Sequence, residues 1–291
     1  TSLSACSAPP RKVIPYLVKL DEITPGLENW YASTCGGCST QCGILVKNRD
    51  GRAIKIEGNP EHPLSKGGVC AVGQASVLSL YDSERLKGPA NKDADMSWEE
   101  IDQRIQSYLS DIKKNGGEIV LLTSTVTSPS TRQLFHDFSK VYPKVRHVSY
   151  DAISVNAIRR AHEITFGKNI LPSYHLDGAD LIVNFDADFL STWFSSVPFT
   201  KQYASRRAIK DRSMSRHIQF ETKMSLTGSN ADLRIPISPH EEGLTLLWLL
   251  KLLARLENTS ELALWVNGQL SQLAAPTLSI EKLEEVANEL W

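Results

Sequence analysis

Cysteine is the residue type in this 291-residue chain whose spacing points most directly to chemistry. Four of the five cysteines cluster, with Cys35, Cys38 and Cys42 as C-x2-C-x3-C and Cys70 after a further 27 residues. Three thiols within eight residues cannot all pair as disulfides, because loops that short cannot meet disulfide geometry without strain. They can converge on a metal centre. Four thiolates suit Zn2+ or an iron–sulfur cluster, but structural zinc sites usually present two C-x2-4-C pairs, whereas this layout is three plus one. A [4Fe-4S] cluster fits the spacing better, with zinc or an empty site as the alternative. Gly36, Gly37 and Gly43 lie in or beside the loop, where backbone wrapped around a metal needs close approach.

The elements that must hold these ligands can be read from the flanking sequence. Gly43–Asn48 and Ala53–Glu57 read as a hairpin joined by Arg49-Asp50-Gly51, Asp-Gly being a strong turn signal. After Pro89 the pattern alternates. Ser97 and Glu100 form a capping-box start, with Ile101, Ile105, Tyr108, Leu109 and Ile112 at helical spacing and Asn115-Gly116-Gly117 as the stop. A strand from Glu118, a helix around 132–141, a strand at 145–149, a helix at 153–166 and a strand at 181–185 follow. This order predicts an α/β fold with parallel strands and crossover helices, a Rossmann-like open sheet whose ligand edge is the loops after the strands.

Further residues carry a family resemblance. The cysteine spacing, Gly58-Asn59-Pro60-Glu61-His62-Pro63 before Gly68-Val69-Cys70, the run Tyr81 to Pro89 and Ser97-Trp98-Glu99-Glu100 resemble the N-terminal region of molybdopterin oxidoreductases. The lead-in Arg11 to Tyr16 and Ile23-Thr24-Pro25-Gly26 narrow this to one branch: the molybdopterin-like iron–sulfur subunit of alternative complex III. The similarity runs from about residue 11 to about 256. It implies a possible lipidated extension (1–27), a 4Fe-4S domain (28–90) and a Rossmann-like domain (91–291). It further implies Cys35, Cys38, Cys42 and Cys70 as cluster ligands, with His62 packing or capping its loop. The implied function is that of a peripheral electron-transfer and scaffold subunit in a quinol:electron-acceptor oxidoreductase. Its partners would be a ferredoxin-like four-cluster domain, a quinol-oxidising membrane subunit and cytochromes c. The alternatives are a fragment of a polysulfide or thiosulfate reductase-like catalytic subunit, and a structural module holding zinc or nothing.

Against the pattern resembled, the molybdopterin site departs at several positions. Where those enzymes close a strand with Gly, this chain has Asp186, whose Cβ and carboxylate oppose a pyrophosphate by volume and by charge. Their P-G-T-D loop corresponds to Pro239-His240-Glu241-Glu242, where Gly becomes His240 and Asp becomes Glu242. Two residues after the fourth cysteine, Val72 replaces an Arg or Lys. Around Tyr150 to Ser154 only Ser149 and Ser154 offer themselves as molybdenum ligands, and serine there is more often a helix cap. Molybdopterin is therefore expected to be absent from a scaffold that is kept. At 291 residues the chain is also short for a full molybdopterin subunit, which suits either a cofactor-free scaffold or the first part of a longer polypeptide.

Little else suggests chemistry. His136, His147, His162, His175, His217 and His240 show no H-x3-H or H-E-x-x-H spacing, and Asp186 with Asp188 reads as helix capping before acid–base work. The basic run Arg206 to Arg212 reads as a solvated helix end, and Trp193 and Phe194 as core or interface. The leucine-rich stretches Leu244–Leu256 and Ile280–Trp291 predict helices packed on the sheet or on a partner. Thirty-two Lys and Arg against 33 Asp and Glu give no field for nucleic acid, and 41% hydrophobic content argues against a multi-span membrane protein. Leu3-Ser4-Ala5-Cys6 has the small-residue pattern of a bacterial lipoprotein cleavage site, so Cys6 is a candidate lipidation site and the periplasmic face of the cytoplasmic membrane the expected location.

Overall fold

The structure is a computed structural model that describes residues 23–91, 94–208 and 214–291. Cys6, the lead-in Arg11 to Tyr16 and the end of the basic run lie outside these residues.

The first unit is a three-stranded antiparallel sheet in the order β1 (Glu28–Thr34), β2 (Gly43–Arg49), β3 (Arg52–Gly58). Asp50 and Gly51 both adopt positive φ, 50° and 75°, the two-residue turn whose twist matches the flanking strands. β1 was not evident from alternation, yet its aromatics suit a pleated surface. Trp30 faces Lys47 across the ladder, and the Lys47 ammonium lies 5.3 Å from the ring while pairing with Glu28 at 3.0 Å.

The second unit begins with the short helix α1 (Ala71–Ala75), a 3-10 stretch (Ser76–Tyr81) and the two-residue strands β4 (Ala90–Asn91) and β5 (Ala94–Asp95). Helix α2 (Trp98–Lys114) opens on the expected capping box between Ser97 and Glu100. β6 (Ile119–Thr123), α3 (Pro129–Val141), β7 (Val145–Ser149), α4 (Asn156–Phe166) and β8 (Leu181–Phe185) follow in the predicted order. α5 (Ser196–Arg206), β9 (Arg216–Glu221), α6 (Leu226–Ser229), β10 (Leu233–Pro236), α7 (Glu242–Leu256), α8 (Ser260–Leu270) and α9 (Ile280–Leu290) complete the chain.

The strands are parallel, as the alternation predicts, but their hydrogen bonds form two pieces: β6 with β7, and a three-stranded sheet in the order β8–β9–β10. The core is unequally shared between them. Ile218 and Phe220 of β9 and Ile235 of β10 are buried against Leu249 and Leu252 of α7 and Leu283 and Val286 of α9. Each such side chain contributes about 1.5–3 kcal/mol on burial. The opposite face packs Ile182, Phe189, Phe199 and Tyr203, with Trp193 and Phe194 partly buried against them, in line with their expected core role. No residue of α2, α3 or α4 is fully buried, and Leu122 on β6 remains 68% exposed.

β9 is buried on both faces. His217, Gln219 and Glu221 alternate with its apolar residues and are completely inaccessible, so their polar atoms must find partners. His217 pairs with the Tyr203 hydroxyl at 3.2 Å and with Gln219 Oε1 at 3.1 Å, and burial pushes its pKa down. Asp232 accepts the His217 amide at 2.7 Å and two Arg207 guanidinium bonds at 2.8 and 2.9 Å; chiefly through that guanidinium its pKa falls to about 2.

Candidate metal centre

Cys35 directly follows β1 and Cys42 directly precedes β2, so the first ladder brings both ends of the cysteine loop together. The Cys35 amide donates to the Cys42 carbonyl at 2.8 Å, and Gln41, at φ 48°, donates to the Cys38 carbonyl at 3.3 Å. The Thr127 hydroxyl donates to the Ser39 carbonyl at 2.9 Å and ties the loop to the segment after β6.

Cys70 arrives by a second route. Beyond β3, the turn spanning 59–68 folds back on Gly43: Asn59 N–H donates to the Gly43 carbonyl at 2.9 Å, and Gly43 N–H donates to Ser65 Oγ at 3.2 Å. His62 lies over Gly43, where an added Cβ would collide with the imidazole, and its Nδ1 accepts the Ser65 amide at 3.2 Å. His62 therefore packs the loop and leaves the sulfurs to the cysteines, as expected. Gly58 touches the Gly67 backbone so closely that no Cβ fits between them. This close approach delivers Cys70 to the N-cap of α1, where its sulfur accepts the Gly73 amide at 3.4 Å. The two loops meet beside Gly73: a Cβ there would crowd Val69 Cγ2 at 2.7 Å and lie in ordinary contact with Cys35 Sγ at 3.7 Å and Cys70 Sγ at 3.8 Å.

None of the four thiols is in a disulfide. Cys42 is buried, Cys35 is half-buried, and Cys38 and Cys70 are exposed. Burial first, and then the charges of Cys38, Cys35 and Cys70, push the Cys42 thiol up to about 11. The sulfurs of Cys38, Cys35 and Cys70 thus all lie within electrostatic reach of Cys42. Sulfurs gathered from two loops suit a metal centre, and in a [4Fe-4S] cluster each thiolate would hold its own iron. Val72, two residues past Cys70, is 74% exposed and offers no charge beside the sulfurs.

The other predicted site is the C-terminal edge of the β8–β9–β10 sheet. Asp186 follows β8 with φ 50°, the left-handed conformation that glycine adopts freely. Its carboxylate faces the Thr222 amide and hydroxyl, each at 3.4 Å. Glu242, at the start of α7, has its pKa raised by burial and then by the charge of Asp186, so these two departures from the family pattern lie within electrostatic reach of one another. A pyrophosphate brought here would meet two carboxylates, so these residues do not fit the phosphate end of a pterin dinucleotide. Asp188 accepts from Thr192 N and Oγ1 at 3.2 and 2.9 Å and from Thr227 N and Oγ1 at 3.1 and 2.7 Å. Burial pushes its pKa up, but those bonds outweigh it and hold the group below the usual carboxylate range, as suits a cap and not a general acid. Ser154 Oγ accepts the Asn156 amide at 3.2 Å in a turn just before α4, whose N-cap is Val155 without a side-chain cap, so Ser154 is not the helix cap expected of it.

With this geometry in view, comparison with known proteins gives one match to a family description, over residues 28–82: "Molybdopterin oxidoreductase Fe4S4 domain". Residues 28–82 are a molybdopterin oxidoreductase Fe4S4 domain. The chain is 25% identical over 254 residues to the menaquinone reductase, molybdopterin-binding-like subunit of Nitratidesulfovibrio vulgaris, an alignment covering 81% of this chain and 36% of that protein. It is 21% identical over 285 residues to the molybdopterin-containing subunit of the arsenate respiratory reductase of Shewanella sp. (strain ANA-3), covering 89% and 32%. Among solved structures, acetylene hydratase from Pelobacter acetylenicus shares the fold, with a TM-score of 0.62 at 16% identity over 88% of this chain and 38% of that one. The chain thus spans about a third of the length of the relatives it matches. Among the described residues no helix is long and apolar enough to cross a membrane.

Proposed function

We propose that this chain is a peripheral iron–sulfur subunit of a membrane-bound quinol:electron-acceptor oxidoreductase of the alternative complex III type, holding one [4Fe-4S] cluster and no molybdopterin. The observation that carries the reading is the meeting of the 35–42 loop and Cys70 around Gly73. Cys35, Cys38, Cys42 and Cys70 are the four ligands. When bound, the cluster supplies one-electron transfer. The chain's own residues do the rest: Ser65, His62 and Gly43 fix the loop, and Gly73 donates an N–H to Cys70 Sγ, which stabilises negative charge on that sulfur. Buried Cys42 anchors the inner side, while exposed Cys38 and Cys70 form the side from which a redox partner can approach.

The menaquinone reductase relative supports a membrane quinone complex as the setting. Within it we assign as partners a ferredoxin-like four-cluster domain, a quinol-oxidising membrane subunit and cytochromes c, on the periplasmic face of the membrane, with Cys6 as a lipid anchor. A second reading, a portion of a catalytic molybdoenzyme subunit, draws on the molybdopterin-containing arsenate reductase relative. Asp186, Glu242 and Val72 weigh against it. Paramagnetic resonance of the dithionite-reduced complex tests the assignment: the reading expects a cluster signal that disappears in Cys70→Ala. A signal unchanged in that variant would assign the cluster elsewhere.

A further inference from the structure

We infer that the C-terminal edge of the β8–β9–β10 sheet is closed to anionic ligands by the chain's own carboxylates, with Asp186 standing in for the ligand anion on the Thr222 donors. The inference deepens the pterin-free reading and rests on it.

Open parallel sheets bind phosphorylated ligands beyond the carboxyl ends of their strands, because loop and helix N–H groups there point outward without partners. In this chain the donors are present and already engaged. The loops after β8 and β9 offer the amides of Thr192, Thr222, Ser225 and Thr227 and the hydroxyls beside them. Asp188 takes Thr192 and Thr227, in four contacts no longer than 3.2 Å. Buried Glu221 takes the Ser225 amide at 3.3 Å and its hydroxyl at 2.6 Å, and also pairs with Arg234, so the nearby guanidinium is engaged as well. Asp186 takes Thr222.

These three carboxylates are not equivalent. Asp188 and Glu221 are held by short bonds and organise the loops, so removing either would disturb the fold. Asp186 makes, among the described residues, two long contacts through its carboxylate, both at 3.4 Å and both exposed. Its backbone already occupies the conformation natural to glycine, so Asp186→Gly removes the carboxylate while preserving the turn. The contact is long and exposed, and Asp186→Gly can remove it while keeping the turn, which suits a plug and not a structural strut. Glu242 adds to the closure: it lies within electrostatic reach of Asp186, so an entering anion would be the third negative group there.

The ligand class excluded is a phosphate or pyrophosphate-bearing nucleotide. The test uses the full chain, isotopically labelled, with inorganic pyrophosphate as the probe and the Thr222 amide resonance as the readout. In the wild type the resonance stays still through millimolar pyrophosphate; in Asp186→Gly/Glu242→Gln it moves and saturates, with affinity at least roughly tenfold higher. Equal responses in the two proteins, or a silent Thr222 in the double variant, overturn the inference. Should the double variant not fold, Asp186→Asn serves, since Asn also tolerates left-handed backbone. There the Thr222 amide shifts upfield on losing its charged acceptor, and an unchanged shift overturns the inference. Molybdenum in the wild-type complex would instead sink the pterin-free reading, so the two failures are distinguishable.

Discussion

The cysteine loops and the sheet edge solve opposite problems with the same kind of backbone. Around Gly73 the chain spends glycines, a packed histidine and a serine hydroxyl to bring four sulfurs together, and leaves every sulfur without a covalent partner. At the ends of β8 and β9 it has loops of comparable length, yet each donor described there is met by an Asp or Glu of the same chain. In the first, burial before all else pushes the Cys42 thiol up to about 11, so its ionisation calls for a metal that offsets the charge. In the second, the donors named are met by the chain's own carboxylates, which leaves them no need of a ligand.

That comparison can be broken at three points. The largest effect is expected from Cys42→Ser. It removes the inner, buried ligand, so iron content and the cluster's visible absorption should fall to background while the Thr222 amide is unmoved. Retention of a full iron complement would separate Cys42 from the site. Next, Gly58→Ala places a methyl group against the Gly67 backbone, which cannot rotate away as a side chain would. It should cost about 2–3 kcal/mol of stability in thermal or urea unfolding and lower iron occupancy, because the same close approach positions Cys70. A cost below about half a kcal/mol would show that the 59–68 turn does not brace the ligands.

The smallest effect belongs to the sheet alone. Asp232→Asn removes a carboxylate that Arg207 holds at a pKa of about 2. Because the folded value lies below the unfolded one, the stabilisation is complete above about pH 4 and is lost as pH falls toward 2. The variant should therefore be about 1–2 kcal/mol less stable near neutrality, allowing for solvent screening of a partly exposed pair, and equal to the wild type near pH 2. Iron content should not change. A loss of stability that persists at pH 2 would mean that the pair acts through packing and not through charge.

What could be read beforehand follows the range of the interactions. The cysteine spacing, the Asp50-Gly51 turn, the Ser97–Glu100 capping box and the apolar faces of α7 and α9 are local signals, and all correspond to elements in place. β9 was missed because His217, Gln219 and Glu221 alternate with Ile218 and Phe220 in the manner of a half-exposed strand or loop, although both faces are buried. β10, with four residues, is too short to show a period, and Asn267 and Gly268 obscured α8. The division of the parallel strands between two pieces depends on pairings distant in sequence. In the metal centre the four thiols and the packing role of His62 were legible, whereas the Thr127–Ser39 tie spans 88 residues and left no local trace. At the sheet edge the replacement of Gly by Asp186 was visible, but its Thr222 partner was not, since only the fold sets the ends of β8 and β9 side by side.

The contrast between a loaded and a closed site is tested most directly by a metal inventory of the purified complex, with iron, acid-labile sulfide and molybdenum measured per copy of this chain and the Cys42→Ser complex as reference. The account predicts that the wild type exceeds the variant by about four iron and about four sulfide, and that molybdenum is absent from both. Stoichiometric molybdenum in the wild type, or equal iron in the two complexes, would contradict it.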